Sequence, residues 1–126
     1  MGASRPNVVF FFSDQQRWDT CGCYGQPLDV TPNLDQMAAE GVCFENAFTC
    51  QPVCGPARSS LQTGKCPTDT GCWRNNIHLP LDEKTVAHWF TDWGYDVGYV
   101  GKWHLASDAP ELDHREKPVP PEYRGG

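Results

Sequence analysis

The chain has 126 residues and carries 10 Lys and Arg against 16 Asp and Glu, a formal charge of −6 with His neutral. That length suits one domain, and 39% hydrophobic with 12% aromatic residues is too rich for a disordered tail. The acidic balance excludes a general nucleic-acid binder, which needs a basic face, and no apolar run approaches the roughly 18 residues that span a bilayer.

Residues 1–6 read as a polar lead-in. Asn7–Phe12 then reads as a strand, apolar enough to be buried on both faces of an α/β sheet. This run is too short for a signal peptide and lacks a cleavage site, so a cytoplasmic location is expected. The strand feeds Ser13-Asp14-Gln15-Gln16-Arg17, and α/β proteins hold ligands just past the C-terminal ends of such strands. A Gly-rich loop from Cys21 to Val30 follows. Thr31 and Pro32 open a helix, with Leu34, Met37 and Ala38 as its inward stripe and Gly41 as its stop. Val42-Cys43-Phe44 with Ala47-Phe48 suggests a second short strand, and Thr49 to Gly55 an irregular loop.

Pro56–Thr63 reads as a short helix ended by Gly64, and a loop runs on through Cys72-Trp73-Arg74-Asn75-Asn76. Asp82 is placed to cap a third helix reaching Trp93, with Val86, Trp89, Phe90 and Trp93 as its apolar face and Gly94 at its end. Tyr95–Val100 reads as a strand with Gly101-Lys102-Trp103-His104-Leu105 at its C-terminal end, so Lys102 and His104 are expected to project to one side. The order favours an α/β fold, a mixed, mostly parallel sheet flanked by helices with polar groups on one edge. Residues 1–106 read as the first part of a larger domain, and 107–126 as a charged, Pro-rich segment leading to the remainder.

Cysteines stand at 21, 23, 43, 50, 54, 66 and 72. Their odd number argues against a complete disulfide framework, and there is no Cys-x-x-Cys pair to suggest structural zinc. Cys21-Gly22-Cys23 and Cys50-x-x-x-Cys54 lack a second half-site. The thiols therefore read as free in a reducing compartment and mostly buried as small apolar residues.

Cys54-Gly55-Pro56-Ala57-Arg58 stands apart. Cys54 sits just before the helix that Pro56 begins, where bare N–H groups and the positive dipole end stabilise an anion. Arg58 lies a turn in and can reach back. Taken alone, these residues also read as a buried cysteine at a helix start with an exposed Arg.

Cys54-x-Pro56-x-Arg58 followed by Thr63-Gly64 resembles the signature of the type I sulfatases of the alkaline phosphatase superfamily. Further blocks match in family order across residues 7–105. They are Asn7 to Asp14, Gly22-Cys23-Tyr24-Gly25, Thr31-Pro32-Asn33-Leu34-Asp35, Gly94-Tyr95 and Gly101-Lys102-Trp103-His104-Leu105. The resemblance implies an alkaline phosphatase/sulfatase-like fold, incomplete in this chain, and hydrolysis of sulfate esters, small-molecule or glycan. Cys54 would be converted by a formylglycine-generating maturase into formylglycine, whose hydrated aldehyde is the nucleophile. Asp14 and Gln15, with the modified Cys54, would hold a divalent metal, Ca²⁺ or in its place Mg²⁺ or Mn²⁺. Arg58 would steady the nucleophile, Lys102 would bind a sulfate oxygen, and His104 would bind substrate and take part in proton transfer. The loop carrying Trp73, Arg74, Asn75, Asn76 and His78 is a candidate lining of the cleft.

Two departures bear on function. Many members carry two adjacent aspartates where this chain has Asp14-Gln15, a form that resembles choline-sulfatase-like and phosphonate-monoester-hydrolase-like branches. The family's remaining metal ligands, an Asp with an Asn or His, lie in a later half for which nothing after Leu105 is a match. A phosphonate or phosphate ester hydrolase on the same scaffold is therefore an alternative. So is a non-catalytic fragment that needs the C-terminal part of the enzyme as its partner.

Overall fold

Pro32 has a fixed helical φ and no N–H to leave unpaired, so it starts a helix well. In the computed structural model, which describes residues 5–106, α1 runs Pro32–Glu40, with Thr31 before it and the Gly41 N–H closing it on the Met37 carbonyl. The chain divides into two units, Met1–Ala47 and Phe48–Gly126. Residues 107–126, expected to be a Pro-rich linking segment, lie outside the described residues.

The N-terminal unit is organised around Asp35. Its carboxylate accepts the Cys23 N–H at 2.7 Å and the Thr31 hydroxyl at 3.2 Å, while Thr31 Oγ1 accepts the Gly22 N–H at 2.9 Å. A Cβ on Gly22 would lie 2.2 Å from Asp35 Oδ2, so only glycine allows this approach. The expected Gly-rich loop thus contains two short 3₁₀ turns, Trp18–Thr20 and Gly22–Tyr24, with the second packed on α1. The predicted inward stripe of α1 is only partly covered: Leu34 and Ala38 are half-buried and Met37 is exposed.

In the second unit α2 runs Cys54–Thr63 and ends where Gly64, in the left-handed region at φ 71°, turns its N–H to the Ser60 carbonyl. A four-residue helix, α3 (Pro67–Thr70), follows in a stretch the sequence presents as loop. The buried Ser59 and Thr70 hydroxyls pair at 2.8 Å and fasten α3 to α2. α4 spans Val86–Asp92 and begins later than an Asp82 cap would place it. The reason is a capping box: the buried Thr85 and the His88 ring cap one another, the Thr85 N–H reaching His88 Nδ1 at 3.0 Å. Gly94 ends this helix as expected, its N–H reaching the Thr91 carbonyl at 2.8 Å. The presumed core face of α4 is largely exposed at Val86, Trp89 and Trp93, and the Lys84 ammonium covers the Trp89 ring at 3.9 Å.

None of the described residues is in a β-strand. Asn7–Phe12, Val42–Phe44 and Tyr95–Val100 form no ladder, and most of their side chains are exposed, with Val9 90% and Phe11 80% exposed and Val100 fully so. A strand exists only with a partner on its edge, and a run apolar on both faces is made for the interior of a sheet. The sequence pattern specifies such segments but not what pairs with them. The core is correspondingly small: Cys72, Leu79 and Leu105, flanked by Ile77 and Trp103, with the Leu79 N–H bonded to the Leu105 carbonyl at 2.9 Å.

The cysteines are not mostly buried. Only Cys21 and Cys72 are enclosed, Cys54 is half-buried, and Cys23, Cys43, Cys50 and Cys66 are exposed, all seven as free thiols. The physical reason is the same shortage of core. Burial pushes the Cys72 thiol above its ordinary value of 9.0, against hydrogen bonds from Ser59 and Thr70 that lower it. Because the folded value is the higher one, this thiol's contribution to stability holds below pH 9 and declines as pH rises from there through the raised value. Mass-mapped alkylation at pH 8 should label the fully buried Cys72 several-fold more slowly than the exposed Cys50. Equal rates would mean that this core is open.

Candidate active site

Cys54 is the first residue of α2, not the residue before it, and Val53 is the N-cap. The difference arises because Gly55 and Pro56 both accept helical angles and the Ala57 N–H bonds the Val53 carbonyl at 2.9 Å. It also changes the electrostatics. Of the donors in this first turn, Pro56 has none, Ala57 is used within the helix, and the Gly55 N–H is taken by Asn75 Oδ1 at 2.8 Å. The array of bare N–H groups that the sequence suggests at the helix start is therefore largely spent.

Arg58 is the stronger feature. It is 5% exposed, in contrast to the exposed Arg of the plainer reading. Its Nη1 lies 3.5 Å from the Cys54 carbonyl and its Nε 3.4 Å from the Lys102 carbonyl. Both bonds are long, and both tie the guanidinium to backbone belonging to candidate residues. Arg58 thus joins the first turn of α2 to the backbone at residue 102.

Lys102 and His104 follow α2 in the same unit. Lys102 is exposed, with its carbonyl also accepting the Tyr99 hydroxyl, and His104 is half-buried. The expected alternation along a strand end is not found, because Gly101 and His104 have φ of 120° and 54° and the backbone turns at both. The side chain that the sequence left unranked within its loop is Asn75. Its Oδ1 would lie 3.2 Å from a Cβ at Gly55, and the Arg74 carbonyl 3.7 Å, so residues 74–75 press against the start of α2. Gln51 Nε2 donates to the Trp73 carbonyl at 3.2 Å and brings the approach to Cys54 onto the same loop. A glycine immediately after the cysteine is the one sequence signal of that close approach.

Asp14 and Gln15 belong to the N-terminal unit, where both are exposed and Gln15 has a strained φ of 57°. A carboxylate and an amide carbonyl are the hard oxygen donors Ca²⁺ prefers, but two residues are fewer than the 6–8 oxygens it takes. Among the described residues no group of three or more His, Cys, Asp or Glu could hold a metal ion. The pair fits such an ion in kind and supplies only part of its shell.

The sulfatase family model matches residues 6–111. This chain belongs to the sulfatase family. It is 46% identical over 102 residues to the uncharacterized sulfatase YidJ of Escherichia coli (strain K12), covering 80% of this chain and 20% of that protein. It is 40% identical over 109 residues to human arylsulfatase A, covering 82% of this chain and 22% of that protein. The solved structure of a putative sulfatase yidJ from Bacteroides fragilis superposes with a TM-score of 0.82 at 36% identity, over 96% of this chain and 30% of that one. The sulfatase chain described here spans about a fifth of the length of the curated relatives it matches. No helix among its described residues is long and apolar enough to cross a membrane.

Arg58→Met keeps the bulk of the side chain and removes its bonds to the Cys54 and Lys102 carbonyls. Hydrogen bonds to charged groups are worth about 1.5–3 kcal/mol, so a loss of about that size is expected, most visible in segment 101–105. Amide exchange at Leu79, whose N–H rests on the Leu105 carbonyl, should quicken in the variant. Unchanged protection there would show that Arg58 does not anchor the segment.

Proposed function

We propose that this chain is the nucleophile-bearing part of a sulfuric ester hydrolase, with Cys54 as the residue converted to formylglycine. The supporting observation is the half-buried, unlinked Cys54 at the first position of α2 over the buried Arg58. Conversion would supply a hydrated aldehyde as nucleophile, and a divalent ion, for which Asp14 and Gln15 offer oxygens, would supply Lewis acidity. Arg58 holds positive charge beneath position 54 and steadies negative charge there. Lys102, on backbone that Arg58 grips, binds a sulfate oxygen, and its ammonium offsets charge that grows as the ester bond breaks. His104, two residues on, hydrogen-bonds the nucleophile or moves its proton. Conversion requires a formylglycine-generating maturase as a partner.

The exposed apolar side chains at Val9, Phe11 and Val100 support a second part of the reading. In this proposal Asn7–Phe12, Val42–Phe44 and Tyr95–Val100 enter a mostly parallel sheet of an alkaline phosphatase-like domain when the remainder of that domain is present. Residues 1–106 then form its N-terminal part, and the remainder completes the metal shell. Seven free thiols agree with a reducing, cytoplasmic setting. A second reading, phosphonate or phosphate ester hydrolysis on the same scaffold, is favoured by Gln15, which offers the metal an oxygen without charge. Paired kinetics on an aryl sulfate and an aryl phosphonate decide between the two.

A chimera carrying residues 5–106 in place of the matching segment of the Bacteroides fragilis relative tests the function. It should release aryl alcohol from an aryl sulfate, and Cys54→Ala should abolish this by a factor of about 10³ or more, the scale of losing a covalent nucleophile. Turnover that survives Cys54→Ala would contradict the assignment. The 126-residue chain alone should show no turnover above its own Cys54→Ala control, because its described residues offer only part of a metal shell.

A further inference from the structure

Gly55 is the second residue of α2, and a helix leaves its first N–H groups without partners of its own. The N-cap, Val53, has no side-chain oxygen and makes no side-chain cap bond. The partner comes from 20 residues further along the chain, where Asn75 Oδ1 accepts the Gly55 N–H at 2.8 Å.

That N–H shares a peptide plane with the Cys54 carbonyl, which accepts from Arg58 Nη1 at 3.5 Å. The plane is rigid, so its two polar ends cannot turn separately. Its orientation sets the ψ of Cys54, and Gly55, with no Cβ, limits it little from the other side. Asn75 is itself held from behind. Arg74 Nη1 donates to the Asn75 carbonyl at 3.2 Å, Gln51 Nε2 donates to the Trp73 carbonyl, and the chain turns at Asn76, whose φ is 63°. A Cβ on Gly55 would lie 3.2 Å from Asn75 Oδ1 and 3.6 Å from Asn75 Cα, so a side chain there would press on the bond.

We propose that Asn75 is a positioning residue for residue 54. It acts as a helix cap supplied from outside α2 and, with Arg58, grips the Cys54–Gly55 peptide at both polar ends. The grip fixes the direction in which the side chain of residue 54 leaves the helix. Asn75 is the firmer of the two holds, because the Arg58 bond is at the limit of hydrogen-bond length and the Asn75 bond is short.

Orientation matters at this position because a nucleophile attacks productively only from a narrow range of directions. The chemistry of the hold is specific: the Gly55 N–H is a donor, so the side chain at 75 must present an acceptor, and an apolar one of equal size leaves the N–H bare. The grip on the peptide is independent of the proposed function, whereas its effect on turnover rests on that reading.

The test is NMR on the full chain with Asn75→Leu, which keeps the size and removes the acceptor, and Asn75→Asp, which keeps an oxygen in place. In Asn75→Leu the Gly55 amide should exchange about fivefold faster, the scale of a lost cap. The Cα and Cβ shifts of Cys54 should move toward their values in urea, while the Leu79 amide, bonded to the Leu105 carbonyl, keeps its protection. Asn75→Asp should return both Gly55 and Cys54 to native values, and it decides the matter where Asn75→Leu also loses protection at Leu79. Native Cys54 shifts in a folded Asn75→Leu, or displaced ones in Asn75→Asp, would overturn the proposal. In the chimera carrying residues 5–106, Asn75→Leu should lower kcat about tenfold. Full kcat there beside an inactive Cys54→Ala would overturn the effect on turnover and leave the nucleophile standing, whereas turnover surviving Cys54→Ala would overturn the nucleophile and the effect that rests on it.

Discussion

The guanidinium of Arg58 is the interaction on which the second unit's site depends. It is buried beneath the first turn of α2 and touches two carbonyls, those of Cys54 and Lys102, that are far apart in the chain. A buried cation is costly unless its donors are engaged. Arg is suited to the task because its planar fork stays charged and can hold several oxygens at once. The first turn of α2 and the backbone at residue 102 are therefore held by one side chain.

The rest of the second unit serves that arrangement. Asn75 and Gln51 tie the loop at 73–75 to the start of α2 and its approach, and the Ser59–Thr70 pair ties α3 to the helix itself. The Leu79–Leu105 contact holds the segment after His104 against the Cys72 core. These are mostly polar links over a very small apolar cluster. Burial contributes about 25 cal/mol per Å² of apolar surface, and much of this chain's apolar surface is still in water at Val9, Phe11 and Val100. Local hydrogen bonds thus specify the site more firmly than hydrophobic burial stabilises it.

Signals carried by single residues were legible in the sequence. Pro32 and Gly41 bound α1 where expected, Gly64 and Gly94 end their helices, and the spacing from Cys54 to Arg58 and on to Thr63-Gly64 carries the resemblance to the family. Features requiring a distant partner were not. The start of α4 depends on His88 capping Thr85, which competes with the equally plausible Asp82. The burial of Arg58 depends on a carbonyl at residue 102, and α3 on the Ser59 hydroxyl. The period-two reading of Lys102 and His104 failed because Gly101 and His104 adopt positive φ. Strand patterns at 7–12 and 95–100 state a need for neighbours that these residues do not meet among themselves.

The central claim is that Cys54 is held in a setting made for conversion to an aldehyde. The most direct measurement is the mass of the Cys54-containing peptide after coexpression of the chain with a formylglycine-generating maturase. Replacement of thiol by aldehyde lowers the mass by about 18 Da, a product outside the usual ladder of thiol oxidation. That loss, confined to Cys54 among the seven cysteines, is the predicted result. An unmodified Cys54 beside an active maturase, with a control substrate converted in the same cells, would contradict it.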